Sequence, residues 1–153
     1  MRWKKEDLAK YVQAKEYIDT VLMPLVPFQI SDDKESEKNA FQMEVMKIFS
    51  NEIEQELSGR VMLIPNYVYV KTVDKENEIE RLNQWIRELK IQPFNHFILL
   101  SFDASWKKHE KDLEGNLLWL PGMQSGDLNS EETRRIIKDQ VVQLSEIIRS
   151  YWD

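Results

Sequence analysis

The stretch SFDASWKKHE, Ser101 to Glu110, gathers Ser101, Asp103, Ser105, His109 and Glu110 beside one strongly apolar run. An Asp–His pair could exchange protons or contribute to a metal site, and a serine beside a base could act as a nucleophile. Each set is incomplete. The second of the two histidines, His96, opens the same apolar run and so stands several residues' rise away, at its far end. No HxH or HExxH pattern occurs, and neither serine sits in the G-x-S-x-G elbow that exposes a nucleophile. The stretch reads equally as a polar loop in which Asp103 caps a turn and Trp106 covers the sheet edge. No catalytic set, metal site or cofactor is expected.

A second candidate, PGMQSGDLNSEE, resembles a glycine-bearing loop feeding a helix N-terminus, where phosphate could bind. It lacks GxGxxG and GxxxxGK[ST], and Asp127, Glu131 and Glu132 place negative charge where an anion would sit. Nucleic acid is also a poor fit. The net charge is −6, and basic residues alternate with acids in segments such as ERLNQWIRELK instead of gathering on one face. Cysteine is absent, which removes disulfides, thiolate nucleophiles and sulfur-ligated metals. No segment has the length or continuity of a signal peptide or a membrane span, so the expectation is a cytoplasmic protein.

These side chains must be positioned by the rest of the chain. Its 153 residues suit a single domain, 1–153, with one adequate core. Helical periodicity marks residues 4–17, a stripe of Phe41, Val45, Ile48, Phe49, Ile53 and Leu57 with Ser36 as a cap, and a stripe of Ile79, Leu82, Ile86 and Leu89 with Asp74 as a cap. The last helix carries Ile136 to Tyr151 behind a capping-box-like Asn129 and Glu132. Gly59 is placed to end the second helix in the left-handed conformation.

Between the helices lie TVLMPLVPF, RVMLIP, FNHFILLSF and LLWLP, with NYVYVK either extending the second run or forming a short ribbon. Runs that are apolar at every position are buried on both faces, as in a mainly parallel sheet covered by helices. The fold class is therefore α/β, a three-layer α/β/α sandwich of about four strands, Rossmann-like or flavodoxin-like, with strand order 2-1-3-4 expected. Of the five tryptophans, Trp119 reads as core, while Trp3 and Trp152 near the termini are harder to bury.

Pro24, Pro65 and Pro121 each follow a short apolar run. A proline cannot donate to a ladder, so all three are expected at strand carboxyl ends, along one rim. That rim is where open α/β sheets bind ligands. The candidates there are Phe28, Gln29, Asn66, Tyr67, Ser101, Asp103, Ser105, Trp106, His109, Met123 and Gln124.

The segments EYIDTVLMPLVPF, LSGRVMLIPNYVYVK, FILLSFDASWK and LLWLPGM together resemble the YpiF-type family of Bacillus-type firmicutes, a domain of unknown function. That resemblance spans nearly the whole chain and implies no activity or residue role. A fainter likeness runs to creatininase-type amidohydrolases through VLMPL, GRVMLIPNYVYV and FNHFILLSF, without that family's Glu, His and Asp metal ligands. The expected function is a non-catalytic binding or regulatory domain that takes a protein or small molecule at the rim, with homo-oligomerisation possible. The alternative is an atypical or degenerate creatininase-like hydrolase using Asp103 and His109.

Overall fold

A computed structural model describes residues 1–123 and 126–153, so Gln124 lies outside the described residues. The elements run α1 (Lys5–Val12), β1 (Thr20–Phe28), α2 (Asp33–Glu56), β2 (Val61–Leu63), β3 (Tyr67–Val70), α3 (Glu76–Leu89) and β4 (His96–Ser101). A 3-10 segment (Ala104–Asp112), β5 (Asn116–Trp119) and α4 (Glu131–Ser150) complete the chain. The sheet order is β2-β1-β4-β5, β3 also pairs with β1, and all four pairings are parallel. β2 and β3 are thus two halves of one interrupted edge strand, and the expected order 2-1-3-4 is the observed one.

Each face of the sheet carries its own core, which makes the three layers. Val21, Met23, Leu25, Met62, Tyr67, Tyr69 and Leu99 face Tyr11 of α1 and Leu82 and Ile86 of α3. Leu22, Val26, Val61, Leu63, Ile98 and Leu100 face Val45, Phe49 and Ile53 of α2 and Ile137, Val141 and Leu144 of α4. β1 and β4 are buried on both sides because helices cover both sides.

The helix ends correct the sequence expectations by small shifts. α1 is shorter than 4–17. Asp32 caps α2 by accepting from Glu35 N, while Ser36 Oγ instead donates to the carbonyls of Gln29 and Asp32. Ser130, not Asn129, caps α4 through Thr133 N. Asp74 does accept from Glu76 N at the start of α3, and Gly59 takes φ +92° just past α2. The polar excursion after β4 is a nine-residue 3-10 segment, longer than the single turn expected. Trp119 is half-buried on edge strand β5 with Lys107 Nζ 3.7 Å over its ring, not in the core. Trp152 is tied down: its Nε1 donates to Thr20 Oγ1 at 2.7 Å, and the Arg60 guanidinium stacks 4.1 Å from the ring centre.

Pro24 requires the main correction. It sits inside β1, opposite Leu100 of β4, not at a strand end. Thr20, Leu22 and Phe28 direct their backbone groups toward the β2–β3 side, so Pro24 presents its missing donor there. That is where Pro65 breaks the edge: Leu22 pairs with Leu63 and Leu25 with Tyr67, so one strand carries an extra residue, a bulge. The two prolines interrupt one ladder at one level. Pro65 and Pro121 each stand two residues past a strand's carboxyl end, β2 and β5, although β3 carries the edge on beyond Pro65; Gly122 follows Pro121 because a Cβ there would come within 2.8 Å of Phe102.

Candidate binding rim

At the carboxyl end of β4 the chain turns through Asp103 into the 3-10 segment, and the Asp103 carboxylate accepts from Ser105 N at 3.0 Å. Ser105 Oγ donates to the same oxygen at 2.6 Å. Oδ2 takes the Tyr69 hydroxyl at 2.7 Å and faces Lys75 Nζ at 3.3 Å. Asp103 N in turn donates to the buried Ser101 Oγ at 2.9 Å. Lys75 and Asp103 side chains are each 7% exposed, so this ion pair is a buried one.

Burial opposes ionisation of Asp103, but the hydrogen bonds from the Ser105 hydroxyl, the Tyr69 hydroxyl and Ser105 N, with the charge of Lys75, outweigh it and hold the carboxyl down at about 2. Burial, then the negative charge of Asp103, push the Tyr69 phenol well above its ordinary value. The rings of Tyr69 and Trp106 meet edge to face at 5.1 Å, and Lys75 Nζ lies 5.1 and 5.4 Å from their centres. Trp106 is 0% exposed, so it is a wall of this cluster and not a surface for a partner.

Above the cluster opens a polar cleft of about 330 Å³ lined by Thr72, Val73, Asp74, Lys75, Ser105, Lys108 and His109. The structure therefore brings Ser101, Asp103, Ser105, Trp106 and His109 into one neighbourhood, with His109 on the cleft wall and no hydrogen bond from it to Asp103 among the described residues.

The other candidates lie elsewhere. Gln29 is buried and holds the turn into α2, accepting from Ser31 Oγ and Asp32 N. Asn66 lines a groove of about 770 Å³ between α2 and the β2–β3 edge, and Phe28 lines a neighbouring groove with Ile30, Met43 and Val68. Tyr67 points under α3, where it donates to Glu78 Oε2 at 2.6 Å. Met123 packs on the α2–α4 core. Trp3 stays exposed, beside Ile64, Pro65 and Trp85.

The sequence reading missed Tyr69 and Lys75. Tyr69 carried a usable signal, since an alternating YVYV strand buries one tyrosine pair, and a buried phenol needs a partner. Lys75 carried none, as a lysine opening a charged helix is an ordinary solvated residue.

Residues 9–152 match the family described as a protein of unknown function (DUF2487). The chain belongs to that family. It is also 31% identical over 154 residues to the uncharacterized protein YpiF of Bacillus subtilis (strain 168), across 99% of this chain and 98% of the relative. No solved structure matches. The likeness to creatininase-type amidohydrolases finds no support in these matches, and the described residues hold no group of three or more His, Cys, Asp or Glu able to bind a metal ion. No helix among them is long and apolar enough to cross a membrane.

Proposed function

We propose that the chain is a cytosolic, non-catalytic binding domain that seats a small anionic molecule, a phosphate or carboxylate, in the cleft at the sheet's carboxyl rim. One observation carries the reading. A carboxylate offers about four acceptor sites, and Asp103 already faces four donors: Tyr69 Oη, Ser105 N, Ser105 Oγ and Lys75 Nζ. A carboxylate so occupied and so acidic is a poor general base, which removes the support for a hydrolase built on Asp103 and His109. The unspent donors lie on the cleft side, in the remaining ammonium N–H groups of Lys75 and the side chains of Thr72, Lys108 and His109; Ser105, whose hydroxyl proton goes to Asp103, and the carboxylate of Asp74 complete the lining without donating.

Inorganic phosphate and succinate titrated into isotopically labelled protein test the reading. The amide signals of Thr72, Lys75, Ser105 and His109 should move with one of these probes, and Lys108→Gln should weaken binding several-fold. If neither probe moves those signals, and native mass spectrometry of protein from its own cells finds nothing bound, the reading falls.

A further inference from the structure

The edge formed by β2 and β3 is filled along one half and open along the other. Ile64 N donates to Leu22 O, so Val61 and Leu63 turn their backbone groups outward, away from β1. Those groups are occupied: Met1 N donates to Val61 O at 2.7 Å and Leu63 N donates to Met1 O at 2.8 Å, the pattern of one residue of parallel strand pairing. The extra residue at Pro65 then reverses the alternation. Lys71 N donates to Phe28 O, so Tyr67, Tyr69 and Lys71 face β1 while Val68 and Val70 face out.

Three of the four outward groups of β3 are unfilled. Among the described residues, Val68 N, Val68 O and Val70 N have no hydrogen-bond partner, and Val70 O accepts a single long bond from Val73 N at 3.4 Å. The two valines are 49% and 44% exposed, on the sheet face that also carries exposed Phe28, Ile30 and Met43. Natural edges are ordinarily blunted by charge, proline or cover. Here Pro65 and Met1 protect the β2 half only.

We propose that a second copy of this chain pairs its own β3 antiparallel with this one, about a two-fold axis through Tyr69. The free set is self-complementary under that operation. Val68 falls opposite the copy's Val70 and Val70 opposite its Val68, and in an antiparallel ladder each such pair exchanges both bonds, so all four outward groups on each strand are used. The same register sets valine against valine across the seam, a favourable β-branched pair. The one charge in the window from Asn66 to Thr72 is Lys71, which falls opposite the copy's Tyr67, so no like charges meet. A seam this short belongs with the weak, reversible interfaces.

The rim cleft meets this seam only at Thr72, the last residue of the window, and its other lining residues lie outside it, so either proposal can fail alone. Sedimentation velocity on the full chain across micromolar to near-millimolar concentrations reads the association. The expected result is a concentration-dependent shift from 18.3 kDa toward twice that mass, with the Val68 and Val70 amides exchanging more slowly as the dimer fills. Val70→Pro removes an outward N–H that has no partner in the monomer, and Val68→Lys places a charge in the seam; each should raise the dimer dissociation constant at least tenfold. Should Val70→Pro fail to fold, Val68→Lys decides. A chain that stays at 18.3 kDa throughout, or a dimer unmoved by the substitutions, overturns the proposal, and a monomer leaves the edge to a strand from a different protein.

Discussion

Tyr69 and its neighbours Val68 and Val70 belong to one four-residue strand, yet they serve two regions that use hydrogen bonds in opposite ways. On the α3 face Tyr69 reaches Asp103, where every acceptor site is taken and charge is cancelled inside the protein. Along the outer edge, Val68 and Val70 leave ladder groups unused and apolar side chains in water. The contrast teaches that polarity alone does not locate a binding surface. The most chemically endowed residues of the chain are largely spent on holding it together, and the capacity left over is in a modest cleft and a bare strand edge.

Substitutions should separate the two regions by the size of their effect. Lys75→Met strands a buried carboxylate, and losing one partner of a buried pair costs about 3–5 kcal/mol, to be read as the loss of unfolding free energy in urea. The pH dependence comes next. Because the folded carboxyl of Asp103 lies below its unfolded value of 3.8, its contribution is fully present above that value and is lost as pH falls toward about 2. That interval should remove roughly 2 kcal/mol, and Asp103→Asn should flatten the wild-type slope there. Tyr69→Phe deletes a hydrogen bond to a charged group and should cost about 1.5 kcal/mol, with the carboxyl titrating higher. Val68→Thr on the edge should stay within about 0.5 kcal/mol in the monomer. If Val68→Thr costs as much as Tyr69→Phe, the edge is already packed and the contrast fails.

Much of the architecture was legible in the chain. Runs such as FILL, residues 97–100, apolar at every position, imply burial on both faces, and that alone requires helices above and below a parallel sheet. Pro24 was misread because a strand-ending proline and a proline opposite a bulge look alike in one dimension. Only the pairing register, with Pro24 and Pro65 at the same level, tells them apart. The candidate site was half legible. SFDASW announced Asp103, Ser105 and Trp106, but their partners Tyr69 and Lys75 come from another strand and the turn after it. Sequence spacing holds no record of which strand lies beside which.

Asp103, as an ionised, fully bonded carboxylate, anchors the rim. Its side-chain carboxyl resonance, followed by NMR through an acid titration of the folded protein, measures that state directly. A midpoint at about 2, rising in Tyr69→Phe, is the result expected. A midpoint at or above the ordinary 3.8 would mean that burial dominates, that the four donors do not hold the carboxylate, and that Asp103 is free to trade protons.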